Sequence, residues 1–288
     1  MGKRKGSELS TITSSELSSI IYSPLGETIK NPFSREIFLL WVRVAGIRYR
    51  DNIDELLKNL KVGDKVILVR EPENEYDDLA IMIQNEDKVK LGYVPRVNND
   101  IPAKMMDAGL KLSGKVSKIK EPVEDIYPWD ALSVDIFLDE SSSELLSGNY
   151  KQPENPGNRF FSKISGLLHA TLLGGMNKPF SREIFLANIL PTDTYRIENL
   201  KRVLCKMKVG DKVVLRRELD YERDENAIVV LNKHKRKLGY IPRSHNMILA
   251  RLMEAGKHIY GAVSEINYRK GEATISRNAL ILDIYMEE

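Results

Sequence analysis

The chain has 288 residues, 42% of them hydrophobic, and a formal net charge of +3. That length accommodates two domains with packed cores, and no apolar run approaches the roughly 18 residues of a membrane-spanning helix. The basic start MGKRKGSELS has no apolar segment behind it, which argues against a secretory signal, and Gly6 stands where a myristoylation motif needs Ser or Thr. The single cysteine, Cys205, excludes an internal disulfide and suits a reducing compartment. An intracellular protein is expected, cytoplasmic or associated with a nucleoid or nucleus, and Cys205, set in VLCKM, is expected as a buried structural thiol.

The net charge hides an asymmetry. Residues 32–147 hold 16 Lys+Arg and 22 Asp+Glu, a net of −6; residues 148–288 hold 24 and 16, a net of +8; residues 1–31 add +1. The second half should approach a polyanion more readily than the first.

An ungapped internal repeat organises the chain. PFSREIFL at 32–39 recurs at 179–186, KVGDKV at 61–66 recurs at 208–213, and LGYVPR at 91–96 returns as LGYIPR at 238–243, always 147 residues on. Over 32–119 against 179–266, 41 of 88 positions are identical. Two copies of one domain are expected, at 32–140 and 179–288. The first follows a tail with a short helix at 1–31. A linker with a second short helix, rich in Ser, Pro, Gly and Asn at its start, spans 141–178. Leu17, Ile20 and Ile21, and at the same offset Ile164, Leu167 and Leu168, supply the helical spacing for those two elements.

In chain order, copy one opens with a β-branched and aromatic run, Glu36–Val44, that predicts a strand. A short helix follows at Ile53–Leu60, capped by Asp51 or Asn52. Strands Lys65–Arg70 and Ala80–Gln84 flank the acidic turn EPENEYDD, and strand Lys90–Val94 ends at Pro95. A second helix is expected at Asp100–Ala108, entered through Pro102 and stopped by Gly109. Strands at Leu110–Ile119 and Leu132–Leu138 complete it, and copy two repeats the order. The fold class is mostly β (α+β): two tandem small OB-like barrels, each with about six strands and two short helices.

The blocks G-I-R-Y at 46–49, R-E-P-x-N-x-Y-D at 70–77, A-I at 80–81 and L-G-Y-V-P-R at 91–96 resemble the HIRAN domain. That domain stands at the N-terminus of some SNF-type DNA translocases and alone in many bacterial proteins. The resemblance covers both copies and four blocks in order. It implies a modified OB-like barrel, and a nucleic-acid-binding adaptor that captures the 3′-hydroxyl end of single-stranded DNA in repair or processing. No GxxxxGK[ST] motor motif accompanies it. Carried over position by position, it implies that Arg48 and Tyr49 form a binding pair and that Asn74 survives from a pair of asparagines whose other member is Glu73. Tyr76 and Asp77 would line the end pocket, and Tyr93 would reach the strand end.

The chemistry is coherent on its own terms. An aromatic face stacks any base, an arginine neutralises phosphate, and a carboxylate accepts a hydrogen bond from a hydroxyl while repelling phosphate. The competing reading is structural: an Asp in a turn commonly caps its own backbone, and a Tyr there can cover a barrel end. Copy two departs from the pattern. G-I-R-Y becomes D-T-Y-R at 193–196 and Arg223 replaces Tyr76, leaving Tyr221, Asp224 and Tyr240 as weaker candidates, with Tyr221 expected to present its ring on the side vacated by Tyr76. Lys233, Lys235, Arg236 and Lys237 could hold a phosphate backbone or simply form a solvated hairpin tip. No nucleophile–base pair, metal-ligand spacing or phosphate-cradling glycine loop is evident, so no catalysis, metal or cofactor is expected. The alternative to direct DNA contact is a protein-interaction module that recruits a nuclease or translocase, which the acidic first copy favours.

Overall fold

The computed structural model describes residues 34–49, 53–121, 130–141, 182–194, 197, 199–268 and 275–288. The helices expected around Leu17–Ile21 and Ile164–Leu168 lie outside these residues, as do Arg50, Tyr195 and Arg196. The described residues of 37–139 and 182–288 belong to one compact unit.

Copy one contains β1 (Ser34–Arg43), a 3-10 turn (Ile47–Tyr49), α1 (Ile53–Asn59), β2 (Lys65–Arg70), β3 (Ile81–Gln84), β4 (Lys90–Tyr93), α2 (Arg96–Asp107), β5 (Leu112–Ile119) and β6 (Leu132–Ser141). Copy two contains β7 (Glu183–Ile189), α3 (Leu200–Leu204), β8 (Lys212–Arg217), β9 (Ile228–Leu231), β10 (Lys237–Tyr240), α4 (Arg243–Glu254), β11 (His258–Ile266) and β12 (Leu280–Glu287). Each copy forms one six-stranded sheet, ordered β1-β6-β5-β2-β3-β4 and β10-β9-β8-β11-β12-β7. The strand order is the same in both, read from opposite ends, and the pairs are antiparallel.

The sheet curls until its two outer strands nearly meet. Just past β1, Ala45 pairs with Tyr93 of β4: Ala45 N–H donates to the Tyr93 carbonyl at 2.8 Å and Tyr93 N–H to the Ala45 carbonyl at 2.9 Å. Thr192 and Tyr240 repeat this in copy two, at 2.8 and 3.0 Å. One bridge in place of a full ladder leaves a partly open, OB-like barrel. Alternation along the strands sends Leu39, Val66, Leu68, Ile81, Ile83, Val134 and Ile136 inward, all buried. Burying each such side chain contributes about 1.5–3 kcal/mol.

Closure dictates a glycine. A Cβ on Gly92 would lie 2.4 Å from the Ala45 carbonyl oxygen and 2.6 Å from Val44 Cγ1. Gly239 meets the same constraint, 2.8 Å from both Pro191 Cβ and the Thr192 carbonyl oxygen.

Two expectations need correction. Helix α2 begins one turn earlier than Asp100: Pro95 is its N-cap, with φ −58° and ψ 142°, and Pro102 lies inside the helix. A proline is cheapest in a first turn, where its missing N–H goes unused, but buried Asn99, Ile101 and Met105 fix where this helix sits. Leu249 occupies the matching position in copy two, so the helix does not depend on the proline. Cys205 is exposed, not buried. Helix α3 spends its buried positions on Leu200, Val203 and Leu204 and ends with Cys205 as its C-cap.

Copy one also meets copy two through a pair of matched contacts. Lys104 Nζ sits 4.6 Å from the centre of the Phe185 ring, and the Arg251 guanidinium sits 5.9 Å from that of Phe38. Adding 147 to Lys104 and Phe38 gives Arg251 and Phe185, so each contact is the image of the other. His245 Nε2 lies 3.3 Å from Asp100 Oδ2 where α2 and α4 approach. The two copies therefore dock isologously, as two subunits of a two-fold dimer do.

Gly92→Ala is expected to destabilise the fold by about 1–3 kcal/mol, the usual cost of overpacking, because the Ala45–Tyr93 bridge must open. Urea unfolding monitored by circular dichroism measures it, with Gly→Ala at surface turns as reference.

Candidate nucleic-acid interface

The loop Glu71–Ala80 is a coil of three successive turns. Asn74 N–H donates to the Glu71 carbonyl, Asp77 N–H to Asn74 and Ala80 N–H to Asp77, at 3.1, 3.2 and 3.0 Å; Glu71 N–H closes the loop on the Ala80 carbonyl at 3.0 Å. A repeat of three residues turns positions 71, 74 and 77 to one side. Their side chains face the barrel end, and Tyr76 is thrown outward, 80% exposed. Arg70 braces the coil from below, donating to the Asp78 and Ala80 carbonyls and to both oxygens of Asp107.

A cleft of about 410 Å³ opens beside the coil, lined by Ala45, Gly46, Asn74, Tyr76, Tyr93 and Arg96 among others. It lies at the closing bridge. Gly46, at φ +81°, turns the chain out of that bridge into the 3-10 turn that presents Arg48 and Tyr49. Tyr49 is 73% exposed, with Arg48 donating to its hydroxyl at 2.7 Å and stacked on its ring at 4.9 Å. Tyr49 and Tyr76 thus present two bare aromatic faces to solvent.

The remaining candidates are tied down. Asp77 Oδ1 accepts from Leu79 N–H at 3.0 Å, while Oδ2 accepts from the buried Asn99 side chain at 2.8 Å and lies 3.5 Å from Arg96 Nε. Asp224 repeats all three contacts with Asn226, Asn246 and Arg243. That set is built into the turn wherever the repeat occurs. Asn74 donates to Glu71 at 2.9 Å and weakly to Tyr93 at 3.4 Å, and accepts from Tyr76 N–H. The Tyr93 hydroxyl donates to Glu71 at 2.9 Å and accepts from Lys90, whose ammonium lies over the ring. Burial pushes the Glu71 carboxyl up, but the bonds from Asn74 and Tyr93 and the charge of Lys90 outweigh it and hold the group below its usual value.

Arg96 was missed by sequence reasoning. It opens α2, lines the cleft, keeps 67% of its side chain exposed, and donates to the Tyr76 carbonyl beside Asp77. Its signal was present in LGYVPR, where the arginine after the proline reads as the punctuation of a helix start. Arg96 and Lys90 supply positive charge at the cleft, and Arg48 supplies it beside Tyr49 on the adjoining 3-10 turn.

Copy two has the same coil, but its cleft, also about 410 Å³, is furnished differently. Tyr221 does not take the outward place of Tyr76, because the chain coils there and is not extended. It takes the inward place of Asn74 and lies against Tyr240, ring centres 5.0 Å apart. Asp193 replaces Gly46, at φ +58°, and adds a carboxylate. Burial, the hydrogen bond to Glu218, and the nearby charges of Glu218 and Asp193 push the Tyr240 hydroxyl well above its usual range.

The HIRAN domain profile matches residues 37–138 and 195–282, more than half of the sequence. The chain belongs to the HIRAN domain family. HIRAN domains are nucleic-acid-binding modules, not catalytic ones. Among solved structures, a Lactobacillus plantarum protein from a structural-genomics programme is 27% identical over 38% of this chain and 99% of its own, with a TM-score of 0.33. The crystal structure of the HIRAN domain of human HLTF is 21% identical over 37% of this chain and 77% of its own, with a TM-score of 0.28. No curated protein sequence matches the chain. Among the described residues, no helix is long and apolar enough to cross a membrane.

Two outcomes are expected of the network beneath the cleft. Asn99→Ala leaves Asp77 and the Leu79 carbonyl short of a donor in a buried position, which costs about 1–3 kcal/mol in chemical denaturation. The lowered Glu71 carboxyl stabilises the fold fully above its unfolded value of about 4.5, and that contribution is lost as pH falls through the folded value. Glu71→Gln therefore narrows the stability difference between neutral pH and pH below 4.5, measured by urea unfolding across that range.

Proposed function

We propose that copy one captures the 3′-hydroxyl end of single-stranded DNA, and that the protein serves inside the cell as an adaptor in DNA repair or processing. The observation that carries this reading is the nearly bare Tyr76 at a cleft lined by Arg96 and Lys90, with the bare Tyr49 and its Arg48 on the 3-10 turn that follows the cleft's Gly46. Stacking is worth about 1–3 kcal/mol per base and is indifferent to sequence. Tyr76 holds the terminal base and Tyr49 a neighbouring one, with Arg48 and Arg96 against phosphates. Asp77, with two of its lone pairs engaged, keeps accepting capacity for a sugar hydroxyl and repels a terminal phosphate. Asn74 and Tyr93 shape the pocket floor from their bonds to Glu71. In copy two the equivalent cleft, of the same volume, is lined by Tyr221 against Tyr240, by Asp193 and Asp224, and by Arg223 in place of the outward tyrosine, so end recognition belongs to copy one. The domain bounds that go with this reading are 32–140 and 179–288.

The second reading is recruitment of a nuclease or translocase without DNA contact by copy one. It is favoured by the net charge of −6 over residues 32–147.

Fluorescence anisotropy with one oligonucleotide ending in a 3′-hydroxyl or a 3′-phosphate separates the two. The hydroxyl end should bind more tightly, Tyr76→Ala should weaken it by about 1–3 kcal/mol, and Asp77→Asn should erase the preference for hydroxyl over phosphate. Arg223→Tyr should create no second end site, because it restores one element of the pocket while Asp193 and the inward Tyr221 still line the cleft. Equal affinity for both ends, or a folded Tyr76→Ala that binds as wild type, would hand the lead to the recruitment reading.

A further inference from the structure

Copy two has a second cleft, distinct from the one beside its coil. It holds about 350 Å³ and is lined by Arg202, Lys206, Lys212, Lys233, His234 and Arg236, above Val203 and Met207, with Asp211 the one carboxylate. It forms where α3 meets the β9–β10 hairpin and the start of β8. All six basic side chains are exposed. Arg202, Lys206, Lys233 and Arg236 form no ion pair with any described residue. Lys212 rests over the Tyr260 ring at 4.5 Å, and the Asp211 carboxylate is occupied as the acceptor of Lys208 N–H at 2.9 Å.

The hairpin tip is built rather than loose. The buried Asn232 side chain accepts from His234 N–H and Arg236 N–H, both at 2.9 Å, and Lys235 takes φ +58°. These bonds hold Lys233, His234 and Arg236 on one short arc facing Arg202 and Lys206, which stand about one helical turn apart.

Copy one supplies the internal control. Subtracting 147 turns Arg202 into Glu55, Lys206 into Asn59, Lys233 into Glu86, His234 into Asp87 and Arg236 into Val89. The same backbone site carries a cluster of acids in one copy and a cluster of bases in the other. Folding does not require either set, since both copies make the same turn: Asn85 Oδ1 accepts from Val89 N–H at 2.8 Å, as Asn232 does from Arg236. A charge reversal concentrated at one cleft and unneeded for the fold points to an anionic ligand.

We propose that this cleft is a phosphodiester-backbone site, binding single-stranded nucleic acid through its phosphates without reading bases. The chemistry favours a nucleic acid over an acidic peptide. The cleft offers charge at its rim and no bare aromatic or deep apolar anchor of the kind that dominates peptide recognition. The coil-side cleft of the same copy is lined by the Tyr221–Tyr240 ring pair and by the carboxylates of Asp193 and Asp224, which suits a phosphate backbone less well than the basic cleft does. Within copy two, the two clefts lie at opposite ends of β9, about 17 Å apart by strand rise between Ala227 and Asn232. The basic one is thus a site in its own right. This inference goes beyond end capture by copy one and stands without it.

The test replaces the cluster with what copy one already carries: Arg202→Glu, Lys206→Asn, Lys233→Glu and Arg236→Val together in the full chain. The probe is a single-stranded oligothymidine of about 12 nucleotides, within the site sizes of OB-type modules, ending in a 3′-phosphate so that end capture does not contribute. Wild type should bind it, with log affinity falling linearly against log salt. The variant should bind at least about tenfold more weakly at low salt, with a slope shallower by about 0.7 for each phosphate that is no longer neutralised. Its circular dichroism spectrum and urea midpoint should match wild type, which shows the fold intact, and binding of a tetranucleotide ending in a 3′-hydroxyl, measured separately, keeps a failure of end capture apart from a failure here. The proposal is overturned if the variant holds the blocked oligothymidine with unchanged affinity and slope. It is overturned equally if polyglutamate competes for the cleft more strongly than oligothymidine of the same charge, which would assign it to an acidic protein segment.

Discussion

The pairing of Ala45 with Tyr93 is the constraint from which the candidate site follows. Two backbone hydrogen bonds bring the outer strands of a curled sheet together. They demand a glycine at 92, since any side chain there would collide with the Ala45 carbonyl. They set Tyr93 at the barrel mouth and force the chain to leave at Gly46 through a left-handed turn. Everything nearby is then placed: the 3-10 turn carrying Arg48 and Tyr49 on one side, and the hydroxyl of Tyr93 against Glu71 on the other. The candidate site and the seam of the barrel are the same place. A fully laddered barrel would leave no gap there, and an open sheet would have nothing to hold the turn.

Much of this was legible in the chain itself. The 147-residue offset predicted two equivalent sheets, and strands such as Lys65–Arg70 fall where β-branched alternation put them. The mostly β, OB-like class holds. What the sequence concealed was set by tertiary context. Pro102 looks like the first turn of a helix, but buried contacts of Ile101 and Met105 begin that helix at Arg96. Cys205 looks apolar because of its neighbours, and those neighbours took the buried positions. Tyr221 resembles a displaced Tyr76 only if the loop is extended. A three-residue coil turns it inward, and no local composition signals that coil. Arg96 was hidden in plain view because one residue both starts a helix and lines the cleft.

The two copies also show how one scaffold separates architecture from recognition. The triad of Asp77, Asn99 and Arg96 reappears as Asp224, Asn246 and Arg243, and the Lys90–Tyr93–Glu71 chain as Lys237–Tyr240–Glu218. These repeated sets hold the coil to the barrel. What differs between copies is the outward residue at 76 and 223, the inward one at 74 and 221, and the glycine or aspartate that turns the chain at 46 and 193. Reading one repeat against the other therefore sorts a crowded site without any other protein: shared bonds maintain shape, and unshared side chains mark where the two surfaces differ.

The matched contacts of Lys104 on Phe185 and Arg251 on Phe38 carry a genetic consequence. In a dimer of identical chains every substitution appears twice, so neither subunit can lose a pocket without its partner losing it too. Here the same two-fold embrace joins halves encoded separately in one reading frame. A mutation is felt once, local concentration of the partner half is guaranteed by the chain, and the loss of a function in one half is tolerated while the other retains it. Covalent joining has turned a symmetric pair into a heterodimer that cannot dissociate into mismatched combinations.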